Sequence, residues 1–401
     1  MTLRAYGILV AAFFTVFIAY AIRYGYGLLL PRMLPALGIT KTQAGVIYAA
    51  YFVAYTVFSP LLGFLSDRFD VRRILTAFTT LLELGAFLMA YATTVGQAAF
   101  FFTLAGIGHA ACWAPVVAMV QRWVADRNRG TALAIATMGS GVGIAAWSLL
   151  LPAVVEQFNW RAGWITLGVF GFFVAGLNWL LVDNPPSNAT EGAAMPERQP
   201  PIKTQARMYL RLLQERHLWL IGCAYLLVGF TVLVPYTFLT AYATEELGMS
   251  FSAGARFITL MAVAGMAGKL GLGILSDRWG RIQVMILCGL LMGAGCWGVA
   301  NVGLVATKYF FVVLFGLGFG AVWPVYAAAA PDFFAKSAAG SVIGLWTVFL
   351  GLGSILSPVV CGWSIDASGT YRWAFDIGLI SALLSALLLM PLFRSARRAA
   401  R

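Results

Sequence analysis

Charged residues are scarce in this sequence, and that scarcity first narrows the kinds of protein it can be. Only 10% of the 401 residues are charged and 61% are hydrophobic, which gives a mean hydropathy of +0.85. A soluble domain has roughly a quarter of its residues charged, so a soluble enzyme or binding module is excluded. The expected fold class is an all-α membrane protein, because backbone groups in lipid must satisfy one another within helices.

Histidine and cysteine, which build most catalytic and metal centres, are also rare. The two histidines, His109 and His217, lie far apart, and the five cysteines show neither metal-ligand nor disulfide spacing. We therefore expect no enzyme activity, no bound metal and no cofactor. The sequence has no P-loop for nucleotide binding, so any transport would be driven by existing gradients.

Apolar runs of about 20 residues recur along the whole chain, and each is long enough to cross a bilayer. We count about twelve such spans. Most of the 27 Lys and Arg residues fall between spans on one side, which predicts that both termini are cytoplasmic. This distribution also explains the net charge of +12 without a nucleic-acid partner. We expect a multi-pass protein of the plasma or inner membrane that functions as a monomer.

One polar, proline-rich segment interrupts the apolar runs and cannot bury enough apolar surface to fold alone. We predict that residues 184–216 form a cytoplasmic linker between two six-helix bundles, residues 1–183 and 217–401. A glycine-rich pattern that ends at Trp113 recurs about 210 residues later and ends at Trp323. Repeats in the same orientation predict two pseudo-symmetric bundles with a binding site between them.

Two polar loops repeat with the same shift. The later copy reads Gly273-Ile-Leu-Ser-Asp277-Arg278-Trp-Gly280-Arg281, and the earlier copy reads Gly63-Phe-Leu-Ser-Asp67-Arg68-Phe-Asp70. These loops resemble the signature of the major facilitator superfamily, G-x-L-x-D-R-x-G-R, except that Asp70 replaces a glycine. The resemblance covers essentially the whole chain. It implies a transporter that works by alternating access, with Asp67, Arg68, Asp277 and Arg278 gating one face.

Two further motifs narrow the resemblance to one branch of that superfamily. The stretch Arg122-Trp123…Arg129-Gly130-Thr-Ala-Leu-Ala is similar to one in monocarboxylate and oxalate/formate porters. Lys269-Leu-Gly-Leu-Gly273 is similar to the eighth-helix segment in which monocarboxylate transporters carry a substrate-binding arginine. The match implies that Lys269 binds a carboxylate. Gly265 stands where those transporters carry a proton-binding aspartate, so the resemblance favours anion binding over proton coupling.

Three charged side chains fall inside predicted spans: Arg23, Glu83 and Lys269. A charge at the bilayer midplane costs about 2.5–3.5 kcal/mol on insertion scales, so each one indicates a partner or a function. Lys269 has no acid at a neighbouring helical position and is predicted to bind an anion; the alternative is that it reaches the lipid headgroups. For Arg23 the same two interpretations stay open. Glu83 is expected to form a structural pair, with proton binding as the alternative.

The remaining predicted site residues are aromatic or titratable. His109 is the other proton-coupling candidate, because imidazole titrates near neutral pH, although a packing role is commoner for a lone histidine. Trp113 and Trp323 occupy equivalent repeat positions and are expected to line the cavity. The other predicted substrate contacts are Tyr24, Tyr236 and Tyr326.

These observations together predict a secondary transporter for a small organic anion, with a monocarboxylate as the first choice. Proton symport and anion exchange both stay open. One rival is proton-driven efflux of lipophilic drug-like compounds, which predicts acids rather than bases in the cavity. A rival of another class is a non-transporting membrane sensor, which usually carries a soluble output domain.

Overall fold

The computed structural model describes residues 3–66, 69–124, 126–183, 210–335 and 338–399, and nearly all of them are helical. The main helices of the first part of the chain are α1 (Leu3–Leu37), α2 (Lys41–Ser66), α3 (Val71–Met89), α4 (Val95–His109), α5 (Ala114–Trp123), α6 (Asp126–Gln157) and α7 (Trp160–Leu181). Those of the second part are α8 (Arg216–Glu245), α9 (Phe251–Trp279), α10 (Arg281–Asn301), α11 (Val305–Phe333), α12 (Ala339–Ser368) and α13 (Arg372–Ala399).

The predicted all-α membrane fold is confirmed. Among the described residues, 11 segments are long and apolar enough to cross a membrane, and α4 with α5 forms one of them. Helix α3 is not among these segments, because Arg72, Arg73 and Glu83 place three charges within its 19 residues. With α3 included, the described helices provide the expected twelve crossings.

The fourth crossing is broken where α4 ends at His109 and α5 begins at Ala114. Pro115 lies in the first turn of α5 and has no N–H to continue the helical ladder, so a break before it is expected. The break places Trp113 at the start of α5, where its indole lines the centre of the molecule. Pro324, one position before the residue equivalent to Pro115 in the repeat, lies inside α11 without ending it.

Helices α1–α7 pack mainly on one another, and so do α8–α13; we call these groups the N half and the C half. The halves meet through the helix pairs α1 with α8, α2 with α12, and α6 with α9. The predicted division into two six-helix bundles stays a prediction. Most of the predicted linker, residues 184–209, lies outside the described residues, so its boundaries stay a prediction.

Because successive crossings reverse direction, the connections fall on two faces. The terminal face holds the start of α1 and the connections near residues 70, 124, 280 and 335, and the opposite face holds those near residues 39, 92, 158, 248, 303 and 370. Near the opposite face the halves touch so closely that a Cβ atom on Gly27 would overlap the carbonyl of Tyr236, and one on Gly45 the carbonyl of Pro358. Only glycine fits at these two crossings.

Polar contacts also join the two halves at the opposite face. The Asp366 carboxylate, at the end of α12, accepts the backbone N–H of Lys41 at 3.1 Å and that of Thr42 at 2.8 Å. It also accepts the Thr42 hydroxyl at 2.6 Å, so the C half caps the first turn of α2. Lys41 pairs with Glu245 of α8 at 3.1 Å. We call these contacts the Asp366 clasp.

Toward the terminal face the halves separate. Gly340 and Gly344 on α12 face open space, and a cavity of about 430 Å³ lies between this part of α12 and the second half of α2. The molecule is therefore closed at the opposite face and open at the terminal face.

The two signature loops differ for a physical reason. Gly280 joins α9 to α10 with a φ of +103°, a conformation that disfavours residues with a side chain. Asp70, its counterpart, has a φ of −57° and caps α3 instead. Its carboxylate accepts the N–H of Arg72 at 2.9 Å and that of Arg73 at 3.4 Å. At equivalent positions, the C half therefore has a glycine that allows the turn between α9 and α10, and the N half has an aspartate that caps the N-terminus of α3.

Candidate functional site

Two small cavities lie side by side between the halves. The first, of about 40 Å³, is lined by residues of α1, α6, α9 and α11 and includes Lys269. The second, of about 60 Å³, includes Arg23. Tyr20, Trp113 and Trp323 line both cavities and form the wall that they share. At these volumes each cavity holds no more than a few water molecules.

The Lys269 side chain spans the contact between the halves. Its Nζ donates to the backbone carbonyl of Thr137 on α6 at 3.1 Å, and the side chain is part-buried. No Asp or Glu lines its cavity, and among the described residues no ion pair is found for it. One carbonyl is a weak partner for an ammonium group with three donors. Lys269 thus does not face the lipid, and no acid in the described part of the chain neutralises it.

Arg23 is only 3% exposed and is enclosed by aromatic rings. The centre of its guanidinium lies 4.2 Å from the ring of Tyr55, 5.0 Å from Tyr20, 5.4 Å from Phe52 and 5.6 Å from Tyr51. Such cation–π contacts stabilise a desolvated cation but do not neutralise it. One terminal nitrogen, Nη2, has no hydrogen-bond partner among the described residues. Arg23 therefore points into the protein rather than toward the membrane surface.

A hydrogen-bonded chain connects Arg23 to His109. The Nε of Arg23 donates to the Tyr51 hydroxyl at 3.2 Å, and that hydroxyl lies 2.6 Å from Nδ1 of His109. All three side chains are buried. The ring of Tyr20 also packs edge-on against His109, with 5.2 Å between ring centroids. His109 thus belongs to the surroundings of the Arg23 cavity.

The pair expected for Glu83 is not found. Its side chain is fully buried, and both carboxyl oxygens lack a hydrogen-bond partner among the described residues. The carboxyl group lies against Gly171 of α7, where a Cβ atom would overlap it. Glu83 lines neither of the cation-containing cavities. An ionised carboxylate in such a place would be very costly, so we expect Glu83 to carry its proton.

The predicted aromatic residues divide into two groups. Trp113 and Trp323 line both cavities, and Tyr24 stacks on Tyr236 across the halves with 3.9 Å between ring centroids. This stack covers the site on the side of the opposite face. Tyr326 instead stacks on Tyr225 within the C half, at 4.1 Å, and lines neither cavity.

The predicted gating residues are only partly visible. Asp67 and Arg68 lie outside the described residues. Asp277 and Arg278 are exposed at the end of α9 on the terminal face. Asp277 pairs with Arg281 at 3.7 Å, and Arg281 pairs with Asp332 at 3.0 Å, so both of these ion pairs stay within the C half.

Several residues around the site were not among the predicted substrate contacts. Tyr20, Tyr51 and Tyr55 surround Arg23, and Phe319 packs between Tyr236 and Trp323. A signal for two of them existed, because residues four apart share one face of α2 and would face the same neighbour. Nothing in the sequence indicated Phe319.

The chemistry available at the site is anion binding. Two cations line adjoining cavities, and neither cavity includes an acid. No cluster of His, Cys, Asp and Glu that could hold a metal ion is found in the part of the chain that the structure describes.

Comparisons with known proteins agree with this arrangement. A model of the Major Facilitator Superfamily matches residues 12–300 and 257–401. The protein named "Probable sulfoacetate transporter SauU" of Cupriavidus necator is 26% identical over 398 residues, 94% of this chain and 90% of that protein. Monocarboxylate transporter 12 of Xenopus laevis is 23% identical over 357 residues, 82% of this chain and 76% of that protein.

A solved structure shows the same fold. The crystal structure of a bacterial homologue of the human lysosomal transporter Spinster, inward-facing and unoccupied, matches with a TM-score of 0.78 at 16% identity. The match covers 97% of this chain and 95% of that chain.

Proposed function

Because this chain belongs to the Major Facilitator Superfamily, we propose that it is a secondary transporter that carries a small organic anion across a membrane by alternating access. One observation carries the proposal: Lys269 lies unneutralised in a cavity between the halves. A buried cation without a counter-ion is expensive in lipid and attracts a negatively charged ligand. A monocarboxylate is the first substrate to test, and a sulfonated acid is the second, given the names of the two relatives.

In this proposal Lys269 and Arg23 hold the acidic group, and Trp113 and Trp323 enclose the carbon skeleton. A planar guanidinium with a free Nη2 is suited to grip a carboxylate or sulfonate. Tyr24 and Tyr236 close the site toward the opposite face. Tyr326 does not contact the substrate but holds α11 against α8 through its stack on Tyr225. No metal or cofactor takes part.

The halves would alternate by exchanging the contacts at the two faces. The present conformation opens at the terminal face, as in an inward-facing transporter, if that face is cytoplasmic as the distribution of basic residues predicts. We propose that tilting breaks the Asp366 clasp and brings Asp277 and Arg278 against the N half. Asp67 and Arg68 would act in the same way at their own loop.

We propose that the protein lies in the plasma or inner membrane and works as a monomer, since the site is formed by the two halves of a single chain. The main rival, efflux of lipophilic drug-like compounds, fits less well. That rival predicts acids around the ligand, whereas neither cation-lined cavity includes one. The larger cavity of about 430 Å³ is within the 300–1,000 Å³ range of drug-sized sites, but it leads to the terminal face and no charged side chain lines it.

Uptake into proteoliposomes tests the proposal. Labelled lactate, oxalate, benzoate and sulfoacetate would be offered one at a time, with and without a pH gradient, beside a lipophilic cation such as tetraphenylphosphonium. We expect saturable uptake of at least one acid and none of the cation. Uptake of the cation alone would support the drug-efflux rival, and no uptake of any compound would favour a non-transporting sensor.

A further inference from the structure

The Tyr51 hydroxyl lies between a predicted anion-binding group and a titratable ring. Among the described residues, its hydrogen bonds are those with Nε of Arg23 at 3.2 Å and with Nδ1 of His109 at 2.6 Å. A tyrosine hydroxyl has one hydrogen to donate and two lone pairs to accept with. Arginine can only donate, so the Arg23 bond occupies one lone pair and leaves the hydrogen for another partner.

Where that hydrogen goes depends on the protonation of His109. When the Tyr51 hydroxyl donates to Nδ1, a neutral His109 carries its own hydrogen on Nε2, which has no hydrogen-bond partner among the described residues. When Nδ1–H donates to Tyr51, the hydroxyl hydrogen instead lacks an acceptor, so either neutral tautomer leaves one buried donor unsatisfied. Protonated His109 would leave two, on Nε2 and on Tyr51, and each is costly. Without a bound anion the geometry therefore favours neutral His109.

Protonation of His109 changes this arrangement. A proton delivered from the bulk solvent binds Nδ1, which then donates to the Tyr51 oxygen while Arg23 continues to donate to it. The Tyr51 hydrogen is released and must turn toward a new acceptor. The Arg23 cavity adjoins this hydroxyl, and an anion bound at Nη2 of Arg23 would supply that acceptor.

The surrounding charges also disfavour protonation of His109 when no anion is bound. The titratable and charged groups around the His109 ring are Tyr20 and Arg23 from α1, Tyr51 and Tyr55 from α2, and Cys112 from the turn after α4. Arg23 is the one cation in this set, and the set holds no carboxylate, since Glu83 of α3 lies against Gly171. An imidazolium here would be repelled by Arg23 until an anion offsets that charge.

We infer that Tyr51 is a positioning residue that couples a proton on His109 to an anion at Arg23, so that the protein is a proton–anion symporter. The inference rests on the proposed function, because it needs an anion at Arg23. Proton and anion each favour the binding of the other, by reciprocal linkage. After the halves tilt and the anion leaves, Tyr51 returns its hydrogen bond to Nδ1 and the proton is released on the same side.

Proteoliposomes loaded with the pH dye pyranine test the coupling, using whichever acid of the transport panel the wild type carries fastest. We expect the lumen to acidify with uptake and an acidic exterior to stimulate uptake. Tyr51→Phe keeps the ring but removes the hydroxyl; acid stimulation should fall about tenfold, the value of one hydrogen bond to a charged group. Exchange of internal for external anion at equal pH should continue. His109→Gln should abolish luminal acidification.

Tyr55→Phe is the matched control. It also removes a hydroxyl from a ring stacked on Arg23, but among the described residues that hydroxyl has no bond to His109, so acid stimulation should be retained. A second measurement is the pH profile of the anion Kd in detergent, followed by tryptophan fluorescence, which should flatten in Tyr51→Phe.

Three results would overturn the coupling. These are full acid stimulation in Tyr51→Phe, acidification by His109→Gln, and loss of exchange in Tyr51→Phe with an unchanged pH profile of binding, which marks a structural role. Absence of any wild-type uptake would instead overturn the proposed function, and the coupling with it.

Discussion

Replacing Lys269 by methionine gives the sharpest test of the site, because methionine keeps much of the side chain's length and removes its charge. Within the described ranges the ammonium has one hydrogen-bond partner, the Thr137 carbonyl, and no acid in its cavity. An anion 4 Å away would be attracted by about 4 kcal/mol at an effective dielectric constant of 20. Desolvation of both groups offsets part of this, so we expect a net loss of about 2 kcal/mol, or roughly 30-fold in Kd.

Lys308 provides a matched control for this change. It is also buried, 2% exposed, but its Nζ donates to the Tyr242 hydroxyl at 2.9 Å and to the Val299 carbonyl at 2.5 Å, near the opposite face. Lys308→Met would remove both hydrogen bonds, leaving only the one from the Tyr242 hydroxyl to the Val299 carbonyl at 3.0 Å, and should lower Tm without changing the anion Kd. Lys269→Met should weaken anion binding and leave Tm equal or higher, since it removes a poorly compensated buried charge.

Both properties can be measured on the same samples. Anion titration followed by tryptophan fluorescence gives Kd, and thermal unfolding in the same detergent gives Tm. The reasoning is refuted if Lys269→Met binds the anion as tightly as the wild type, or if both lysine variants lose affinity equally.

Three further variants test the rest of the molecule. Gly45→Ala places a methyl group against the Pro358 carbonyl and should hold the opposite face open; cysteine-labelling rates there should rise, and unchanged labelling would contradict the packing argument. Asp366→Asn removes the charge that caps α2 and should weaken closure of the opposite face by about 1 kcal/mol. Cysteine labelling there should rise, but less than in Gly45→Ala. A loss of uptake without a change in labelling would count against this role of Asp366. Glu83→Gln should retain acid-stimulated uptake and an unchanged or higher Tm, whereas loss of the stimulation would assign proton coupling to Glu83 instead.

The sequence predicted the fold well, because membrane crossings depend on patterns that are local in the chain. Long apolar runs specify helices whatever surrounds them, and the repeat about Trp113 and Trp323 indicated equivalent places in two halves. The break between α4 and α5 was not predicted, although Pro115 marks it. The same residue type at Pro324 does not end α11, so proline alone did not distinguish the two cases.

The site was predicted less completely, because its contacts join residues far apart in sequence. A single charge in an apolar span was enough to single out Lys269 and Arg23. The set of aromatic rings around Arg23 depends on the rotation of α2 about its axis relative to α1, and no local sequence pattern predicts that rotation. Lys308 was placed outside the membrane spans, yet it is buried by the packing of α11 against α8 and α10. Glu83 was expected to have a partner, but its carboxyl group lies in space that exists only because residue 171 of α7 is a glycine.

The Asp366 clasp has an evolutionary consequence. Two of its hydrogen bonds come from the main chain of Lys41 and Thr42, which any amino acid except proline can supply. The accepting group, in contrast, is one particular carboxylate. A saturation library selected for growth on the transported acid should therefore tolerate more variation at positions 41 and 42 than at 366. Variants at 41 and 42 lose the Lys41–Glu245 pair or the Thr42 hydroxyl bond but keep the main-chain bonds, whereas variants at 366 lose the acceptor of them all.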